Sequence, residues 1–199
     1  YVTYVDGDDL YLPEKLACEA DLVRNHHADI AFSNYYRIKA DHENTILSIW
    51  AYDRSQLPAF GNMYLEVFVK SFPRNSLFRC ELVDKKLLER TGYHDRKLEI
   101  YEDFEFKIRL ASMGKIVYTM LPLHMYRDNP QGLSKSKKSL HLASYEYIYA
   151  KHFPTVLKQF PDKAKSVKVK YLKMMDEFRD LSGSKKSFRF LLKQVKKGL

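Results

Sequence analysis

The chain has 199 residues, 45% hydrophobic and 14% aromatic, with a formal net charge of +9. That composition suits a soluble α/β domain with a core of its own, and no apolar run approaches the roughly 20 residues a membrane-spanning helix needs. The charge is uneven: residues 1–100 carry a net −3 and residues 101–199 a net +12, most of it beyond residue 134.

The first five residues, Tyr1-Val2-Thr3-Tyr4-Val5, read as a strand running into Asp6-Gly7-Asp8-Asp9. Three carboxylates within four residues repel one another, so a compact protein keeps them only where a cation or backbone donors offset the charge. Oxygen-only ligands suit a hard divalent ion such as Mg²⁺ or Mn²⁺. Pro13 fits the first turn of a helix, along which Leu16, Ala20 and Val23 recur at helical spacing. The acids then lie between a strand and a helix, the carboxyl edge where open α/β sheets bind ligands. A plainer alternative stays open, in which Asp9 caps a turn and the other acids face water.

Residues 41–72 contain no recognisable motif. Their Trp50, Tyr52 and Tyr64 have rings that stack on sugars, although aromatics at this density usually form core. After Thr91-Gly92-Tyr93, the segment Leu98–Ala111 with Phe106, Ile108, Leu110 and Met113 predicts a helix capped by Gly114. Glu102 and Asp103 stand near its N-terminus, where the helix dipole favours negative charge. Two adjacent carboxylates in a partly closed site predict one raised pKa. His124, in a strand-like run, reads as a structural histidine, and Tyr126-Arg127 and Ser134 follow.

Taken in order, the DGDD segment with Leu10-Tyr11-Leu12-Pro13-Glu14-Lys15-Leu16, the Glu102-Asp103 pair, and Tyr126-Arg127 with Ser134 resemble the family 2 glycosyltransferases. These are inverting GT-A enzymes that move a sugar from a nucleotide-sugar to an acceptor. Asn75-Ser76-Leu77-Phe78-Arg79 looks like the family's acceptor-side strand, and Leu87–Tyr93 like the helix and turn that follow it. The resemblance covers residues 1–135. It implies a mixed GT-A (Rossmann-like) α/β sheet whose N-terminal nucleotide-binding half is absent from this chain, and a requirement for Mn²⁺ or Mg²⁺. Asp8 is implied as a direct metal ligand and Asp6 as a ligand or a contact to the donor ribose, with Asp9 as a supporting acid. Asp103 is implied as the base that takes the acceptor proton, with Glu102 orienting it or binding the acceptor. Arg127 and Ser134 are implied diphosphate contacts. Many relatives place a His ligand where this chain has Asn129, so Asp128, phosphates or waters are the candidates to complete the shell.

Residues 136–199 read as a basic helical extension. One helix is expected from Leu140 to His152, ended by Pro154, with Tyr145, Ile148 and Tyr149 buried. A second is expected over Asp162–Leu181 and a third over Lys185–Lys197. The third mixes bulky apolar residues with lysines, the composition of a helix attracted to anionic lipid.

The expected partners are a nucleotide-sugar donor, UDP by base rate, and a glycan or lipid-linked acceptor of bacterial surface polysaccharide synthesis. Pairing with a preceding segment or a second copy is also expected, because the DGDD strand should be interior. The expected location is cytoplasmic, at the inner face of the membrane. Cys18 and Cys80 lack metal-ligand spacing and read as reduced or buried thiols. A nucleic-acid-binding role is set aside because no groove-reading motif accompanies the lysines. A haloacid-dehalogenase-type phosphotransferase would want a hydroxyl residue soon after the second Asp, where Asp9-Leu10 stands. A calcium loop is set aside because Pro13 interrupts its twelve-residue pattern. A non-catalytic glycosyltransferase-like scaffold is the remaining alternative.

Overall fold

The computed structural model describes residues 1–40, 42–129 and 136–179. The chain divides into two compact units, Tyr1–Lys135 and Ser136–Leu199.

The first unit is built on a five-stranded mixed sheet. Its centre is β2 (Ile30–Lys39), which pairs in parallel with β5 (Ile116–Asp128). On the other side β2 meets β4 (Leu82–Val83) at its start and β3 (His42–Ile49) at its end, both antiparallel. The short β1 (Leu10–Tyr11) lies antiparallel along the last third of β5. Helix α1 (Lys15–His26) packs on β2 and β5, while α2 (Tyr64–Phe68) and α3 (Lys85–Thr91) both pack against α4 (Glu102–Met113).

Successive strand residues face opposite sides, so the sheet has two apolar faces. Ala31 and Val117 cluster with Val23 of α1, Ala28 and Leu82. Phe32 instead stacks on Phe78 with centroids 4.4 Å apart and meets Trp50 edge-on at 6.0 Å. Burying a ring of this size contributes roughly 2–3 kcal/mol.

One irregularity decides what β5 delivers. Ser33 pairs with Thr119, but Asn34 pairs with Pro122 and Tyr35 with His124, so β5 carries extra residues opposite Asn34. Pro122 has no N–H to give the ladder, and a bulge is where a strand tolerates it. The buried Asn34 side chain replaces the missing pairing: its Nδ2 donates to Ala51 O (2.7 Å) and Met120 O (3.2 Å), and its Oδ1 accepts from the amides of Tyr35 and Ala51. Beyond the bulge, β5 carries His124, Tyr126, Arg127 and Asp128 alongside the acidic turn.

Several sequence expectations need correction. Tyr1–Val5 forms no strand: its only ladder contact among the described residues is a bridge from Val2 to Val83, and its side chains are largely exposed. The regular pairing starts after the acids, at β1. Helix α1 starts at Lys15 rather than at Pro13, and its buried face is Lys15, Glu19 and Val23, with Leu16 exposed. Asn75–Arg79 is irregular rather than a strand. Trp50 and Tyr64, by contrast, are core as aromatics at this density usually are, while Tyr52 is exposed.

The second unit holds α5 (Lys138–Gln159) and α6 (Pro161–Asp176), which pack on each other. Tyr145, Ile148 and Tyr149 are buried as expected, and Tyr171 of α6 donates from its hydroxyl to Tyr145 O at 3.1 Å. Helix α5 runs through Pro154 instead of ending there. The proline costs one backbone bond, and the buried residues on both sides of it, Tyr149, Phe153 and Val156, outweigh that loss. No described helix is long and apolar enough to cross a membrane. The expected third helix, residues 185–197, and the end of the second lie outside the described residues, as does Ser134.

Candidate active site

The DGDD segment is a turn closed by Asp9 N donating to Asp6 O at 3.0 Å. Asp6 and Asp8 are exposed at its tip, whereas Asp9 turns inward and is buried. The Asp9 carboxylate accepts the backbone N–H of Arg127 at 2.9 Å, which fixes the turn to the end of β5. Arg127 returns the contact, its Nε donating to Asp8 O and its Nη1 to Ala40 O, both at 2.8 Å. Arg127 therefore holds the backbone of the acidic turn and of Ala40. Burial pushes the Asp9 carboxyl up to about 6, with Asp6 and Asp8 adding to the rise while the Arg127 N–H and Arg79 oppose it.

Glu102 and Asp103 open α4 as expected, behind Tyr101, whose left-handed backbone (φ 66°) turns the chain into the helix. Asp103 is about half exposed, its side chain 3.8 Å from Lys107 Nζ one turn on, and its Oδ1 accepts from the Phe104 amide. At Asp103 the shift runs opposite to the rise expected from two adjacent carboxylates. Burial favours a rise, but Lys107, Lys70, Arg79 and the Phe104 N–H outweigh it and hold the Asp103 carboxyl below the usual range. Sequence adjacency of two acids mattered less than three cations, Lys107 one turn along the helix and Lys70 and Arg79 from other segments.

None of those cations was singled out by the sequence reading. Lys107 is buried, 3.3 Å from Glu81 and donating to Tyr4 Oη at 3.0 Å. Its spacing from Asp103, four residues along one helix face, was a readable signal. Arg79 lies over the Tyr126 ring at 3.8 Å. Burial works against its charge, yet Tyr35, Tyr126, Asp103 and Asp9 raise its pKa overall. Arg79 is thus within electrostatic reach of both the buried acid of the turn and the acid of α4, and nothing local in the sequence marks it.

The remaining candidates separate. Asp128, considered as a third metal ligand, pairs with Arg37 at 2.8 Å instead. His124 is fully buried against Tyr35 with ring centroids 4.9 Å apart, and burial with Lys15 and Arg79 nearby lowers its pKa to about 3. Cys80 is buried as well, and burial and Glu81 push its thiol up to about 12.

The donor set at the turn fits a hard cation in its chemistry: Asp6 and Asp8 are exposed carboxylates of one tight turn, with only Gly7 between them in sequence. These two residues would hold Mn²⁺ or Mg²⁺.

No protein-family model and no curated protein matches the chain. Among solved structures it is similar to S. aureus TarS, with a TM-score of 0.56 at 13% identity over 84% of this chain and 27% of that one. It is also similar to S. aureus TarS 1-349, with a TM-score of 0.56 at 14% identity over 86% of this chain and 45% of that one. The chain therefore spans less than half the length of either. At this identity the likeness is one of fold: a mixed sheet with helices packed on it.

Proposed function

We propose that the chain carries the metal and acceptor part of an inverting glycosyltransferase of the GT-A, family 2 type. It transfers a sugar from a nucleotide-sugar, with UDP as the nucleotide, to a hydroxyl of a glycan or lipid-linked acceptor in bacterial surface polysaccharide or glycoconjugate synthesis. The observation that carries this reading is an exposed Asp6/Asp8 tip together with a half-exposed Asp103 whose carboxyl is held below the usual range, with Arg79 acting on both Asp9 at the base of that turn and Asp103, on a glycosyltransferase-like fold.

Asp103 takes the proton of the acceptor hydroxyl as that oxygen attacks the anomeric carbon from the face opposite the diphosphate. With its pKa held down it is fully ionised at neutral pH, a state a base needs before it can act. Glu102, its neighbour at the helix start, orients the acceptor. Asp6 and Asp8 hold the cation, which when bound supplies the positive charge that stabilises the departing diphosphate. Asp9 and Arg127 keep Asp6 and Asp8 in place by tying the turn to β5. Ser134 is assigned to the diphosphate and residues 185–197 to contact with an anionic inner membrane face, both on sequence grounds.

Calorimetric titration of the chain with UDP, with and without Mn²⁺, tests this reading. Binding that needs Mn²⁺ and is lost in Asp8→Asn supports it, and Asp103→Asn should keep the nucleotide while losing transfer. UDP binding indifferent to Mn²⁺ and to Asp8→Asn would remove its basis.

A further inference from the structure

Behind the exposed acids lies a second cluster of different chemistry. One carboxylate oxygen of Asp9, the Cys80 sulfur and a ring nitrogen of His124 all lie within 4.8 Å of one another, and all three residues are buried. They come from the acidic turn, from the loop before β4 and from β5 beyond its bulge, so no spacing in the sequence links them.

Their hydrogen bonding leaves this cluster open. Asp9 uses Oδ1 on the Arg127 amide, but its Oδ2 has no partner, and neither nitrogen of His124 has one. Three unpaired polar atoms on two buried side chains are costly, because each has lost its water without a replacement. Cys80 is held in position from behind: its backbone is left-handed (φ 53°), and its carbonyl accepts from Lys15 Nζ at 2.7 Å and Thr3 Oγ1 at 3.1 Å.

We infer that Asp9, Cys80 and His124 form a second metal site, which takes a borderline divalent ion such as Zn²⁺ and is separate from the hard-cation site at Asp6 and Asp8. Sulfur, imidazole and a single carboxylate oxygen favour Zn²⁺ over Mg²⁺ or Mn²⁺. Bond lengths of about 2.0–2.3 Å around a tetrahedral ion place its ligands roughly 3.5 Å apart, so the three side chains need to close by an ångström or so. Binding displaces the Cys80 thiol proton to solvent, leaving thiolate, carboxylate and neutral imidazole on the ion and water in the fourth position. The charge then balances: the thiolate and carboxylate neutralise the divalent ion, and Asp6 and Glu81 oppose nearby Lys15 and Arg79. The occupied site joins the acidic turn to β5 and to the Cys80 loop, and so fixes the turn that presents Asp6 and Asp8.

Co²⁺ titration of the chelator-treated 199-residue chain tests this directly. The expected result is a thiolate-to-cobalt charge-transfer band in the near ultraviolet that saturates at one equivalent, is erased by Zn²⁺ and is unaffected by excess Mg²⁺. Cys80→Ser should lose the band, Cys18→Ser and the Asp6→Asn/Asp8→Asn pair should keep it, and His124→Gln should weaken cobalt binding by at least about tenfold. Zn²⁺ should raise the melting temperature of the wild type and of Asp6→Asn/Asp8→Asn but not of Cys80→Ser. A folded wild type with no thiolate band overturns the inference and leaves a buried water as the partner of these atoms. A band that survives Cys80→Ser, or vanishes with Cys18→Ser or with the Asp6/Asp8 pair, overturns it as well.

Discussion

The ammonium of Lys107 stands 3.8 Å from the carboxylate of Asp103, one turn along α4, and leans at the same time on the buried Glu81 at 3.3 Å. Because Lys107 is among the groups that depress the Asp103 pKa, it sets the pH at which the proposed base is lost. Asp103 works as the carboxylate, so activity falls as the pH drops through its pKa in the enzyme. Removing the lysine raises that pKa and moves the acid limb to higher pH. Lys107→Met alone strands Glu81, so the informative variant is Lys107→Met with Glu81→Gln. Its kcat/KM profile for transfer should show the acid limb displaced upward, with Mn²⁺-dependent UDP affinity unchanged. An acid limb that stays in place would detach Lys107 from the base.

A second buried pair invites a stability test. Lys15 Nζ lies 2.6 Å from Glu19 with both side chains wholly buried, and burial still pushes the Glu19 carboxyl up despite the lysine. Lys15→Met leaves an uncompensated buried charge and should cost about 3–5 kcal/mol in urea unfolding at neutral pH. Lys15→Met with Glu19→Leu removes both charges and should recover most of that loss, short of the bond from Lys15 to Cys80 O. The sign with pH follows: a carboxyl whose folded pKa is raised gains relative stability as it protonates. The deficit of Lys15→Met should therefore shrink as pH falls through the folded Glu19 value. Additive single-variant effects would argue against coupling.

These two pairs also show where sequence reading stopped. The acidic turn and the α4 acids were legible because each is a local pattern whose neighbours in sequence are its neighbours in space. The face of α1 was not: Leu16 looked like core, yet Lys15 and Glu19 are buried because they satisfy each other four residues apart and Lys15 finds Cys80 O across 65 positions. Tyr1–Val5 has the composition of a strand, but strand formation needs an edge to pair with, and among the described residues its ladder pairing is the single bridge from Val2 to Val83. Pro154 signalled a helix end by a local rule that packing in α5 overrode. Asp9, Cys80, His124 and Arg79 meet only because the β5 bulge and the left-handed turn at Cys80 bring distant segments together.

Asn34 is the residue on which that bulge depends. Asn34→Leu fills similar space but leaves the amide and carbonyl of Ala51 without their partner, a loss of about 2–4 kcal/mol for two buried groups. Urea unfolding should register it. Amide hydrogen exchange should show lost protection at Tyr35 and Ala51 before the rest of β2, and uniform loss across the sheet would mean that Asn34 does not act locally.

Gly114 follows α4 as the spacing predicted, but for a different reason than a left-handed cap. Its backbone is extended (φ −116°), a conformation open to any residue, so the requirement is for space. A Cβ there would lie 2.7 Å from Leu87 Cδ2 and 3.2 Å from Ile30 Cδ1, and both side chains are fully buried with little room to give. Gly114→Ala should therefore cost about 1–3 kcal/mol by overpacking. Leu87→Ala opens a cavity of its own, yet it removes the atom in the way, so the double variant should be less destabilised than the two single losses predict. Strict additivity in thermal or urea unfolding would show that the α3–α4 contact at Leu87 is not what requires a glycine at this position.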